Sequence, residues 1–208
     1  MYKRQAVSLE ETGKAKVVVL DKTGTITSGA PMITDVYPAA GVSRDELLMK
    51  AYAIESKSEH PLAKAVIAGV ENEESLLAKA KLLGTVEDFS AVPGSGLAGS
   101  LGGTGIYGGN AGFIENVLGK AGEPAVNALN EAVKVADSFS EEGKTALFFA
   151  EKDRLLGIIA VADVIKTDSP EAIRQLKNMG IHVVMLTGDN EKTCLLYTSD
   201  AADDRISV

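Results

Sequence analysis

Apolar residues along this chain come in short bursts whose spacing shifts from strand-like to helix-like and back. Val17-Val18-Val19-Leu20 is unbroken, so Lys16–Leu20 reads as a buried strand, and Met32–Tyr37 as another after a Ser28-Gly29-Ala30-Pro31 turn. The period then lengthens. Ser43 followed by Glu46 is a capping-box pattern opening a helix to about Glu55. Pro61 suits the first turn of a second helix, Leu62 to Val70, with Leu62, Val66 and Ile67 on one face. A third helix, Glu73 to Leu83, ends at Gly84. From there the period shortens: Thr85–Val92, Leu97–Leu101 and Gly105–Tyr107 read as strands between Pro93-Gly94-Ser95-Gly96 and Gly102-Gly103 turns. Helices return at about Ala111–Leu118 and Pro124–Ser140, the second stopped by Gly143. Thr145–Ala150 and Leu155–Val161 predict a hairpin across Glu151-Lys152-Asp153-Arg154. Ser169-Pro170 opens a helix that ends at Gly180, and Ile181–Leu186 is a last strand entering Thr187-Gly188-Asp189-Asn190.

The first and last units are the same kind of object, a strand whose carboxyl end carries hydroxyl, Gly and Asp residues. Between them lies a mixed region with hairpins and helices of its own. The simplest architecture is α/β: a doubly wound domain interrupted, at about 30–161, by an α+β insertion with an antiparallel sheet. A length of 208 residues accommodates two modest domains. No apolar run nears the roughly 18 residues needed to span a bilayer. The longest, Leu155 to Ala162, reads as a buried strand, and Met1 to Glu11 lacks the apolar core of a signal peptide. Cys194 is the single cysteine, which leaves no basis for a disulfide or a thiolate metal site. A net charge of −8 argues against binding a nucleic-acid backbone. Nothing in the sequence implies an oligomer.

Asp21, Asp163, Thr187 and Asp189 all follow apolar strands, where ligands of open α/β sheets gather. Asp21 stands where a covalent nucleophile would, since carboxylates form aspartyl-phosphates, and Gly24 permits a sharp turn and a close phosphate approach. If the first and last strands are parallel neighbours, Asp21 and Thr187 face one crevice, and Thr187 can donate to a phosphoryl oxygen. Taken alone, the Thr187–Asn190 stretch is equally a polar turn capping a helix, and Asp163 equally a solvated strand end. His60, just before Pro61, is on chemistry alone a surface residue or a helix cap; with His182 distant, the two make no metal spacing. Gly94-Ser95-Gly96-Leu97-Ala98-Gly99 satisfies GxGxxG but leads into a strand, so it is no dinucleotide fingerprint. Glu142-Gly143-Lys144-Thr145 fails as a Walker A loop: position 138 is Ser and a strand follows, which leaves Lys144 as a solvated surface lysine or, in the second place, one that reaches the phosphates.

The heptapeptide Asp21-Lys22-Thr23-Gly24-Thr25-Ile26-Thr27 resembles the phosphorylation sequence of P-type ATPases, and from about Val7 to Thr193 the chain resembles their heavy-metal branch, most closely bacterial copper-transporting members. The resemblance implies a haloacid-dehalogenase-like (Rossmann-like) phosphorylation domain over 6–29 and 162–193, split by a nucleotide-binding domain over 30–161. It implies that ATP and Mg²⁺ are the cofactors, that Asp21 takes the γ-phosphate, and that Lys22, Thr23 and Thr25 flank it, with Asp21 and the Thr23 carbonyl as magnesium ligands. Thr187, Gly188 and Asp189 match the family's second loop, and Asp163 with Lys166 its Asp-x-x-Lys step. Ser58-Glu59-His60-Pro61-Leu62-Ala63 matches the adenine-binding signature, in which Glu59 accepts from an exocyclic amine and His60 orients the ring; Glu59 before His60 favours copper over zinc. Pro93 to Gly96 resembles a second nucleotide loop, with Gly94 and Gly96 baring backbone toward adenosine, and Gly109-Asn110 a third element, a reading compatible with Asn110 as the cap of the helix that follows. A soft transported cation would bind in membrane helices outside this chain, whose own part would lie on the cytoplasmic side of a bacterial plasma membrane.

Residues 1–5 and 194–208 break from the family pattern and look like translated adapter sequence, so the expectation is a truncated piece of a longer pump. The family's later Gly-Asp-Gly-x-Asn-Asp step is not in this sequence, and without it the chain is expected to bind nucleotide weakly and not turn over, and Lys16–Leu20 is expected to be left as an exposed sheet edge. A phosphatase of the same superfamily would usually carry an acid two residues after its nucleophile; Thr23 stands there. A nucleotide-binding module without turnover is the remaining alternative.

Overall fold

The structure, a computed structural model, describes residues 13–119 and 121–186. They divide into two compact units, one joining the segment up to Ala30 to the segment from Asp163, the other running Pro31–Ala162. The fold is mixed α/β. Two strands pass between the units without a break: β2 (Thr27–Pro38) leaves the first and β7 (Arg154–Ile165) returns to it.

In the first unit β1 (Val17–Asp21) pairs in parallel with β8 (His182–Leu186), in register from Val17 opposite His182 to Asp21 opposite Leu186. Helix α6 (Ser169–Asn178) precedes β8, started by Pro170 and left through Gly180. β1 is the exposed edge expected of a sheet short of a flanking strand, not the buried strand its apolar run alone suggests. Val17 and Val19 are 54% and 60% exposed, because among the described residues β8 is the one strand beside β1. The doubly wound sheet is correspondingly represented by these two strands.

The second unit is built on a six-stranded sheet in the order β2-β7-β6-β5-β4-β3, with β3 (Glu87–Val92), β4 (Gly96–Leu101), β5 (Thr104–Gly109), β6 (Thr145–Glu151) and β7 paired antiparallel in turn. Adjacent residues point to opposite faces. Phe149, Leu156 and Ile159 share a cluster with Leu47, Leu48 and Ile54 of α1 (Arg44–Glu55), Val66 of α2 (Pro61–Glu71) and Leu76 of α3 (Glu74–Leu82). Phe148 and Ile158 instead pack with Ile114 and Leu118 of α4 (Ala111–Leu118) and Leu129 of α5 (Glu123–Glu141). Both faces are covered, which is why β7 reads as a continuous apolar run rather than an alternating one.

Four local expectations are corrected. Ser28-Gly29-Ala30-Pro31 is not a turn but part of β2, where Gly29 takes φ 74° without ending the strand. Ser43 does cap α1, accepting from the Glu46 N–H at 3.1 Å. The reciprocal half of the capping box is missing, because the Glu46 carboxylate turns to Lys50 at 2.8 Å and Arg154 at 2.6 Å. Asp163 lies inside β7, not past its end. Lys144 is not a solvated lysine: its ammonium pairs with Asp35 at 2.7 Å and Glu142 at 2.5 Å and sits 5.4 Å from the Phe139 ring centroid. No helix among the described residues is long and apolar enough to cross a membrane.

Candidate functional site

In the first unit, β1 delivers Asp21 as its last residue, exposed and on the same side as Val17 and Val19. Lys22–Ile26 then makes one wide helical turn, broken at Thr23 and Gly24, where Gly24 takes φ 79°. Lys22 is buried, while Thr23, Gly24 and Thr25 are exposed, so the side of the loop open to a ligand is the one carrying the two threonines. The turn is fixed from below by Thr27, which is fully buried. Its hydroxyl lies 3.0 Å from the Lys22 carbonyl and 2.5 Å from the Asp163 carboxylate, and accepts from the Gly24 N–H at 3.3 Å. The other Asp163 oxygen accepts from the Ser28 hydroxyl at 3.1 Å and the Gly29 N–H at 2.9 Å. Gly29 backs directly onto Gly24, and a Cβ there would stand 3.0 Å from the Gly24 Cα.

Asp163 is thus spent on the backbone and hydroxyls of residues 27–29, not left open as a solvated strand end. Thr27 is the member of this assembly that sequence reasoning did not single out. Its signal was the hydroxyl at the end of the heptapeptide, which looked like one more turn residue. Thr187, Gly188 and Asp189 lie outside the described residues, as do 1–12 and 190–208. What the described part gives is the register: β8 ends at Leu186, opposite Asp21.

In the second unit the candidate residues fall into two groups. His60 caps α2, its Nδ1 accepting from the Leu62 N–H at 3.2 Å. A neutral ring accepting at Nδ1 carries its proton on Nε2, so the exposed ring edge offers a donor. Glu59 beside it is exposed. The second group is Gly94, Gly96, Gly109 and Asn110. Asn110 caps α4, accepting from the Phe113 N–H at 2.9 Å, and its amide donates to the Gly94 carbonyl at 3.2 Å. Gly96 and Gly109 are register partners in β4 and β5. Their bareness serves the protein itself: a Cβ on Gly96 would lie 2.4 Å from the Gly108 carbonyl and 2.6 Å from the Phe113 ring. Between the two groups Ile54, at the end of α1, sits against Gly108 of β5.

Glu55 was not anticipated. It is the last residue of α1, only 5% exposed, and burial raises its carboxyl from 4.5 to about 7. The signal was present: Glu55 falls four residues after Ala51 and eight after Leu47, on the apolar stripe of the helix. A carboxyl whose protonation is displaced by burial, one short link before Glu59 and His60, marks this end of the unit as a candidate site.

A family model described as haloacid dehalogenase-like hydrolase matches residues 15–203. The chain is 36% identical over 190 residues to Copper-transporting ATPase 1 of Rhizobium meliloti, covering 91% of this chain and 21% of that protein. It is also 36% identical to the copper-exporting P-type ATPase of Bacillus subtilis, over 93% of this chain and 22% of that one. Among solved structures, a zinc-transporting PIB-type ATPase in its E2.Pi state superposes with a TM-score of 0.74 at 32% identity, covering 92% of this chain and 29% of that chain. The chain therefore spans about a fifth of the length of the curated relatives it matches. With its strand-end aspartate, its parallel β1–β8 pair and a family match across nearly its whole length, the chain belongs to the haloacid dehalogenase-like hydrolases.

Proposed function

We propose that this chain is the cytoplasmic ATP-binding and phosphorylation region of a P-type ATPase exporting a soft heavy-metal cation, Cu(I), through an aspartyl-phosphate on Asp21. The observation that carries the reading is the Asp21–Thr27 heptapeptide folded as a turn at the carboxyl end of β1, its acid and two threonines exposed and its base pinned by Asp163. Copper is favoured by Glu59 preceding His60 and by the similarity to the copper-transporting ATPase of Rhizobium meliloti and the copper-exporting one of Bacillus subtilis. The cation itself would be held by membrane helices outside this chain.

An Asp21 carboxylate oxygen would attack the γ-phosphorus of ATP in line; that P–O bond forms as the bond to the β–γ bridging oxygen breaks, and the electron pair leaves on ADP. Thr23 and Thr25 flank the approach, and Thr187, with Gly188 and Asp189, is assigned the opposite side. Magnesium would neutralise charge on the phosphoryl oxygens. The residues fit such an ion as one carried in on nucleotide. Among the described residues no three acids or histidines converge on a metal site, which leaves Asp21 and the Thr23 carbonyl beside phosphate and water. We further infer that this chain by itself binds nucleotide weakly and does not turn over. In the other unit, adenine would meet the His60 Nε2–H and Glu59, with the Gly94–Asn110 cluster beneath the adenosine.

Titration of the chain with ATP, following the His60 ring signals by NMR, tests this reading, with His60→Ala as the control. An adenine-dependent shift is expected. A phosphatase of the superfamily would give none, and its absence would remove the ATPase reading. Stoichiometric, Asp21-dependent phosphoenzyme from labelled ATP would overturn the stated lack of turnover.

A further inference from the structure

Past the end of β7, the chain makes three hydrogen bonds to the loop that follows Asp21, two from Lys166 of the Asp-x-x-Lys step and one from Ser169. The Lys166 ammonium donates to the Gly24 carbonyl at 2.8 Å. The Lys166 backbone N–H donates to the Ile26 carbonyl at 3.0 Å, and the Ser169 hydroxyl donates to the same carbonyl at 2.8 Å. Lys166 is exposed, so no core packing depends on its ammonium, whereas Ser169, the first residue of α6, is buried.

The consequence follows from peptide geometry. In a trans peptide the C=O and the next N–H point in opposite directions within one plane. Holding the Gly24 carbonyl toward Lys166 therefore turns the Thr25 N–H away from Lys166. Holding the Ile26 carbonyl toward Ser169 likewise turns the Thr27 N–H inward, where it donates to the Lys22 carbonyl. Gly24, at φ 79° and with nothing within 4 Å of its Cβ direction, has no side chain to fix its peptide plane. An external donor must do it.

We infer that Lys166 and Ser169 are positioning residues for the phosphoacceptor loop: through the Gly24 and Ile26 carbonyls they set the direction of the Thr25 N–H and the seating of the turn that follows Asp21. This rests on the reading of Asp21 as phosphate acceptor. Lys166 touches neither the phosphate nor the nucleophile; it acts through one peptide plane. Because its ammonium grips a glycine carbonyl, any side chain that donates at the same reach can replace it, and one of equal length that cannot donate will not.

The test uses the full 208-residue chain with 15N-labelled backbone, titrated with Mg²⁺ and fluoroberyllate as the phosphoryl mimic. Lys166→Met should move the Thr25 amide resonance and weaken fluoroberyllate binding by about three- to tenfold, the worth of one hydrogen bond. Lys166→Arg should restore most of both. The β1 and β8 amides and the thermal midpoint should stay within error of the parent, which separates positioning from a fold defect. Ser169→Ala should move the Thr27 amide independently. An unmoved Thr25 amide in Lys166→Met, or an Arg variant as impaired as the Met one, overturns the inference. If the parent chain binds no fluoroberyllate, the acceptor reading of Asp21 fails. The Thr25 amide then still decides the positioning role on its own.

Discussion

Glu55 offers a perturbation whose size and sign both follow from the structure. Its carboxyl ends α1 almost out of reach of water, and burial raises it from 4.5 to about 7. The carbonyl end of a helix gives an anion no compensation. Between those two pH values the folded chain binds a proton that the unfolded chain has released, so stability falls as pH rises through this window and levels off above it. At 1.36 kcal/mol per pH unit, the ionised carboxylate costs the fold on the order of 3 kcal/mol above pH 7. Glu55→Gln keeps the shape and removes the charge. It should be nearly neutral at pH 4.5, where the native residue is already protonated, and stabilise the second unit by about 3 kcal/mol at pH 8.5. Because the chain has two units, one global transition is the wrong observable. Hydrogen-exchange mass spectrometry of peptides covering β6 and β7, across a urea series at the two pH values, isolates the affected core. Equal effects of the substitution at both pH values would refute the argument, since a packing change alone carries no such pH dependence.

Three further outcomes are expected. Asp163→Ala removes the acceptor shared by Thr27, Ser28 and Gly29 and should cost about 2 kcal/mol, read as faster exchange of the β1 and β8 amides, with β5 and β6 unchanged. Gly96→Ala drives a Cβ to 2.4 Å from the Gly108 carbonyl and should cost about 1–3 kcal/mol, whereas Gly94→Ala meets nothing and carries only its positive φ, about 1 kcal/mol. Thermal midpoints that rank the two the other way would contradict the packing account. Lys144→Met removes the hydrogen bond that holds the Asp35 carboxyl below its ordinary 3.8. That contribution is present above 3.8 and lost as pH falls through the lower folded value, so the variant should lose about 1 kcal/mol at neutral pH and show a flatter acid limb in pH-dependent unfolding.

Much of the frame was legible because local signals agreed with the global fold. Ser43, Pro61, Asn110 and Pro170 each mark a helix start, and the hairpin across Lys152-Asp153 closes at the polar break between two apolar runs. Misreadings came where a residue serves something distant in sequence. Gly29 looked like a turn former, yet it is a strand residue thinned to let Gly24 pass. Lys144 looked solvated because its partner Asp35 is far along the chain. Asp163 looked like a strand end because its partners, Thr27 to Gly29, lie on the other side of the whole second unit in sequence. A one-dimensional pattern shows what a residue prefers, not which distant group will use it. Glu55 is the converse case, its place on the apolar stripe overlooked because glutamate is an ordinary helix former.

The Asp163 cluster also explains how the loop after Asp21 tolerates a large segment placed straight after it. The chain leaves the first unit after Ala30 and returns at Asp163. Asp163, at the point of return, bonds to Thr27, Ser28 and Gly29, at the point of departure. The two ends of segment 31–162 are therefore clamped side by side by groups belonging to the first unit. For a segment whose ends must meet, closure costs little more as its length grows. What matters to the loop is that the meeting point is fixed, and the carboxylate fixes it by accepting from donors on residues just three to five positions past Gly24. The same short stretch goes on to supply Lys166 and Ser169. A change at Asp163 should therefore be felt by the loop even with every residue of the inserted segment intact.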